Sequence, residues 1–138
     1  RVGKVLPAIA CTRLAERLYE IDFGSNLSGQ MRLRLPGLKS NDLVRIVYAD
    51  RKYGPAEITK KKRPSDTEID SASGKLRYQT FGQTNEFISA GRAEEEFRSK
   101  FNYHGFRYAI VEGPPEAPKL SDAEAMLIES DLEMAGSF

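Results

Sequence analysis

Apolar and polar residues alternate one by one through much of this chain, and that two-residue period most limits what it can fold into. In YEIDF (19–23), Tyr19, Ile21 and Phe23 share one side while Glu20 and Asp22 take the other. In QMRLRL (30–35), Met31, Leu33 and Leu35 oppose Gln30, Arg32 and Arg34. Such segments bury one face of a sheet and cannot make the apolar stripe of a helix. Gly24-Ser25-Asn26 reads as a turn that joins the two into a hairpin, and Pro36-Gly37 closes the second. Asn41-Asp42 opens a third strand, 43–49, with Val44, Ile46 and Tyr48 on one face opposite Arg45.

Residues 50–76 break the alternation with Gly54-Pro55, the basic run Lys60-Lys61-Lys62-Arg63, Pro64-Ser65-Asp66 and Ser71-Ala72-Ser73-Gly74. This stretch reads as a long mobile loop or an insertion. Strand patterns return at 85–90, 94–101 and 104–112, the last stopped by Gly113-Pro114-Pro115. At the end, Ser121-Asp122-Ala123-Glu124 matches a helix capping box, yet from Met126 to Met134 the alternation puts Met126, Ile128, Leu132 and Met134 opposite Glu129, Asp131 and Glu133. Period 2 outweighs period 3.6 here, so the segment is expected to be a strand. Strands separated by turns, without an amphipathic helix, predict an all-β antiparallel sandwich over 17–138, preceded by a lead-in strand or linker over 1–16.

A chain of 138 residues is the size of one domain with one core. Lys+Arg 21 against Asp+Glu 20 leaves a net charge of +1, so no global field draws nucleic acid or an anionic membrane. Cys11 is the only cysteine and cannot form an internal disulfide, nor can thiolates build a metal site. No apolar run reaches the roughly 18 residues of a membrane span, and the N-terminus lacks the order of a signal peptide. Because the chain begins at Arg1 and stops at Phe138 directly after a patterned segment, it is expected to be a domain cut from a longer protein. Its location then follows the parent: periplasmic or extracellular with a signal peptide, cytoplasmic without one.

Three motifs, taken in order, carry a family likeness. YEIDFGSNLSGQMRLRL followed by VRIVYAD, then NEFISAG leading into EEEFRSKFNYHGFRYAIVEG, and a closing SDLEMAGSF resemble the concanavalin-like, jelly-roll β-sandwich domain of bacterial α-L-rhamnosidases, glycoside hydrolase family 78. The likeness covers most of residues 17–138. It singles out Asp22, Phe23, Gly24, Asn26 and Gly29 in the first motif, and His104, Gly105, Phe106, Arg107 and Tyr108 in the second. The sequence departs from the family pattern at Gln30, where relatives usually have tryptophan, at Asp50, and at Asn85. The resemblance implies a non-catalytic domain that supports an α/α toroid of the same polypeptide. The toroid would carry the two carboxylates that hydrolyse terminal α-L-rhamnosides with inversion, one protonating the leaving oxygen and the other activating water. No catalytic residue, metal or cofactor is implied for this chain.

Several residues nonetheless look functional. In FNYHGFRY (101–108), Tyr103, His104 and Arg107 could stack on and hydrogen-bond a sugar such as a rhamnosylated glycan, with Tyr53 of the 50–76 loop assisting. The structural reading is stronger. Phe101, Phe106 and Tyr108 supply bulk, Gly105 permits a bulge or a positive φ, and His104 and Arg107 brace a sheet corner on a carboxylate such as Asp22. Glu20 and Asp22 share a strand face about 7 Å apart, near the spacing of inverting glycosidases, but an exposed face carries such pairs routinely. Glu129, Asp131 and Glu133 could ligate calcium, yet ligands strung along one strand do not wrap a cation. Lys60 to Arg63 reads as a solvated loop and Cys11 as a small apolar filler. The absence of tryptophan weakens a stand-alone sugar-binding module, the second reading. A third is a protein-interaction domain.

Overall fold

A computed structural model of the chain describes residues 2–92, 94–100 and 105–128. Among these residues, ten strands, β1 (Val2–Pro7), β2 (Ala10–Ala15), β3 (Leu18–Leu27), β4 (Gly29–Pro36), β5 (Leu43–Lys52), β6 (Asp66–Ser71), β7 (Gly74–Ile88), β8 (Glu94–Lys100), β9 (Phe106–Glu112) and β10 (Ala123–Ile128), form two antiparallel sheets. One sheet has four strands in the order β1-β10-β4-β8, the other six in the order β2-β3-β9-β5-β7-β6. The antiparallel sandwich expected from the alternation is what the chain forms.

The inward faces are those the period assigned. Ile21, Met31, Leu33, Leu35, Val44 and Ile46 are fully buried in one core between the sheets. Phe106 lies edge-on between Phe23 and Tyr48, at centroid distances of 5.3 and 5.4 Å, an arrangement that favours aromatic rings. The Tyr48 hydroxyl donates to Ser99 Oγ, a buried bond from β5 in one sheet to β8 in the other.

Four expectations are corrected. The first two strong strands are not a hairpin, because β3 belongs to the six-stranded sheet and β4 to the four-stranded one. The chain does not turn at Gly24 but continues as strand to Leu27 and then crosses between sheets. Gly29 makes that crossing feasible: its φ is +146°, and a Cβ there would lie 2.1 Å from the Met126 carbonyl oxygen. Residues 1–16 are more than a lead-in, since β1 edges one sheet and β2 the other. Residues 50–76 are not a structureless loop. They contain the end of β5, a 3-10 turn at Glu57–Thr59 and β6, which pairs with β7 from Asp66↔Gln79 to Ser71↔Gly74.

The final strand keeps its type but shows the opposite face. Ala123 and Ala125 are buried opposite Leu33 and Met31, and Leu127 packs on the same core, whereas Met126 sits across from Gln30 on the outer face. The large Met31 and Leu33 side chains already fill the space, so small alanines suit the inward positions. Glu124 lies outward too, paired with Arg32. The expected continuation over 129–134, with Glu129, Asp131 and Glu133, lies outside the described residues.

The six-stranded sheet curls on itself. β2 and β6 are its two edges, yet the Ala72 N–H just after β6 donates to the Leu14 carbonyl of β2 at 2.7 Å. This curl encloses a second, smaller core of Leu14, Ala49, Tyr78 and Ile110, flanked by Leu18, Val47 and Ile69. The sheet is therefore covered on both faces over much of its area, by the partner sheet on one side and by its own β6–β7 hairpin on the other.

Candidate functional site

Cross-strand register orders the side chains inside the curl. Arg45 of β5, Glu112 of β9 and Leu18 of β3 form the outermost row; Val47, Ile110 and Glu20 form the next; Ala49, Tyr108 and Asp22 form the third. From β7, Thr84 joins the second row beside Val47, and Thr80 the third beside Ala49. Between these rows and β6 lies an open cavity of about 340 Å³, lined by apolar Leu18, Val47, Ile69 and Ile110, by threonine hydroxyls, and by charged groups around it.

The inner end of the curl is plugged by a polar cluster. Glu20 is only 7% exposed and accepts a hydrogen bond from the Tyr78 hydroxyl, while Lys52 Nζ lies 2.9 Å from the same carboxylate. Burial first, and then the anionic partner, push the Tyr78 phenol well above its ordinary range. The sequence expectation of an exposed Glu20–Asp22 face is thus wrong at Glu20. A carboxylate this buried needs donors, and Tyr78 and Lys52 supply them from strands far away in sequence.

Asp22 has a different commitment. Arg107 grips it through two bonds, Nε to Oδ1 at 2.9 Å and a terminal nitrogen to Oδ2 at 3.1 Å. Asp22 Oδ1 also accepts the Gly24 N–H at 2.7 Å. These bonds sit where β3 advances from Asp22 to Leu27 while β9 moves only from Tyr108 to Phe106, so the carboxylate ties together a wide bulge. Burial pulls the Asp22 pKa upward, but the Arg107 and Gly24 bonds outweigh it and leave the carboxyl below its ordinary value. Arg107 also lies over the Tyr108 ring, 5.0 Å from its centroid. Gly105 serves by close approach and not by a positive φ, because a Cβ there would lie 2.9 Å from the Leu27 carbonyl oxygen. Tyr103 and His104 lie outside the described residues.

One further group went unread in the sequence, and Tyr53 was misread. Arg77 is 5% exposed and holds the carbonyls of Glu57, Ile58 and Lys60 at 3.3, 3.0 and 2.9 Å, with Glu68 at 2.7 Å. It thereby pins the segment that carries Lys60 to Arg63, whose side chains stay exposed. Tyr53 donates to Asp66 Oδ1 at 2.8 Å, so it serves this segment's folding and is not held out from a loop. Cys11 packs against the main core, and burial, followed by the nearby Glu20, raises its thiol pKa. That favours the inert thiol form expected of a filler.

Comparison with known proteins places this architecture. Residues 12–129 match the family model described as the bacterial alpha-L-rhamnosidase concanavalin-like domain. An alpha-L-rhamnosidase of Formosa agariphila is 29% identical over 118 residues, which is 86% of this chain and 11% of that protein. The structure of alpha-L-rhamnosidase from Dictyoglumus thermophilum superposes with a TM-score of 0.67 at 27% identity, covering 94% of this chain and 13% of that one. The Streptomyces avermitilis alpha-L-rhamnosidase complexed with L-rhamnose gives a TM-score of 0.66 at 25% identity, over 94% of this chain and 11% of that one. The chain therefore spans about an eighth of the length of the relatives it matches.

Proposed function

Since the chain belongs to the bacterial α-L-rhamnosidase concanavalin-like domain family, we propose that it is a non-catalytic sandwich that braces a catalytic α/α toroid of the same polypeptide. The parent then hydrolyses terminal α-L-rhamnosides with inversion, and the acid and base reside in the toroid. One observation carries the non-catalytic reading. The carboxylate pair whose spacing resembles that of inverting glycosidases, Glu20 and Asp22, is spent on folding: Glu20 is buried under Tyr78 and Lys52, and Asp22 is held by Arg107. An inverting mechanism needs one carboxyl with a raised pKa and one open carboxylate with space for water. Asp22 is shifted downward instead.

The test compares an aryl α-L-rhamnoside assay on the 138-residue chain and on the full-length parent. Turnover is expected only from the parent. Hydrolysis by the chain alone, abolished in Asp22→Asn, would overturn the assignment. As a bracing element, Arg107 joins the Asp22 motif.

A further inference from the structure

The cavity inside the curled sheet is absorbed neither by the Asp22 bulge nor by the polar plug. It opens at the end of a half-closed barrel, a place where small ligands commonly bind, and its volume of about 340 Å³ falls in the range of ligand pockets. Its floor is apolar, formed by Val47 and Ile110 from neighbouring strands with Ile69 contributed by β6. Thr84, Arg45 and Glu112 line it as exposed polar groups. The rim thus offers an exposed guanidinium donor, carboxylate acceptors and hydroxyls that serve as either. That combination fits a compact ligand with hydroxyls on one side and hydrocarbon on the other.

We propose that this cup is a subsite for a neutral 6-deoxypyranose, with the sugar's methyl group on the Val47–Ile110 floor and its hydroxyls at Thr84, Arg45 and Glu112. The choice of a 6-deoxy sugar within the pyranoses rests on the reading of the parent as a rhamnosidase; the amphipathic ligand class rests on the cup itself. Binding needs no aromatic platform, because the methyl group enters the apolar floor and no ring stacks on the sugar face.

The probe is L-rhamnose, titrated into the 138-residue chain and followed by amide chemical shifts. Saturable shifts confined to Val47, Ile110, Thr84 and their neighbours are expected. L-Mannose, which differs by a hydroxyl on C6, should bind about tenfold more weakly, as apolar pockets discriminate at about that level. Glu112→Gln and Thr84→Val alter exposed side chains and should each weaken L-rhamnose severalfold with a native spectrum retained. Absence of saturable shifts would overturn the subsite, as would saturation by n-butylammonium but not by the sugar, which would make the cup a cation site. Equal affinity for L-mannose would overturn the placement of the methyl group. Loss of rhamnoside hydrolysis in the full-length parent, with these shifts intact, would sink the enzymatic reading and leave the subsite standing.

Discussion

The two faces of the six-stranded sheet are both buried, but by different chemistry. Toward the partner sheet, Val44, Ile46 and Val111 meet Met31 and Leu33, all fully buried, in a core that is apolar apart from groups such as the Tyr48–Ser99 bond. Inside the curl, Tyr78 is equally buried, yet it closes on Glu20 and Lys52, and the apolar cluster around it is small. The first face draws its stability from area removed from water and close packing. The second has little area to bury, and its β6–β7 hairpin is located by directional bonds: Tyr78 to Glu20, Ala72 to Leu14, and Arg77 to three carbonyls. Non-directional packing tolerates many arrangements, whereas a satisfied buried polar network specifies one.

The largest effect is expected from the first face. Leu33→Ala removes a fully buried side chain from the main core and should cost about 2–5 kcal/mol in denaturant unfolding. If it costs less than any change inside the curl, the contrast between the faces fails. Next comes Tyr78→Phe, which preserves the ring but takes a donor from buried Glu20, at about 1–3 kcal/mol. The companion Glu20→Gln in the same background should cost much less than it does alone, because the two groups act as a unit. Strict additivity would show that the plug is not a network.

The smallest effect belongs to the Asp22–Arg107 pair, which lies at the partly exposed margin between the two regions. Arg107→Ala should cost only about 1 kcal/mol, since the guanidinium is 38% exposed and solvent screens the pair. Its signature is the pH dependence. The folded pKa of Asp22 is depressed below 3.8, so the native state binds fewer protons than the unfolded chain in that range. The pair's stabilisation is therefore complete above about pH 4 and is lost as pH falls through the folded value. Denaturation midpoints measured from neutral pH down into this acid range should fall less steeply in Asp22→Asn than in wild type. An identical slope would remove Asp22 as a source of the acid sensitivity.

Much of this was legible in the residues, for reasons that differ from place to place. The alternations at 19–23, 30–35 and 43–49 name the inward side chains correctly, because each of these strands presents one face to the large core. Asp22 as the partner of Arg107 was also legible, through the motif residues that surround both. β6 was hidden because DTEIDS holds a single apolar residue, Ile69, and becomes a strand only by pairing with β7. Glu20 and Arg77 were misread or missed because a charged side chain in sequence looks solvated until its partners arrive. Those partners are up to 58 residues away for Glu20 and up to 20 for Arg77.

The sequence by itself therefore determined which segments extend and which side chains share a face, since steric alternation in a strand is a local property of the chain. It did not determine which sheet a strand joins: β3 and β4 are adjacent in sequence and patterned alike, yet they lie in opposite layers. Nor did it show that the outer face of β3 would be covered, or that Ala125 and not Met126 would point inward. Backbone hydrogen bonds are chemically the same for every pairing, so the choice among pairings falls to the volumes and buried polar groups that meet only when the whole sandwich closes.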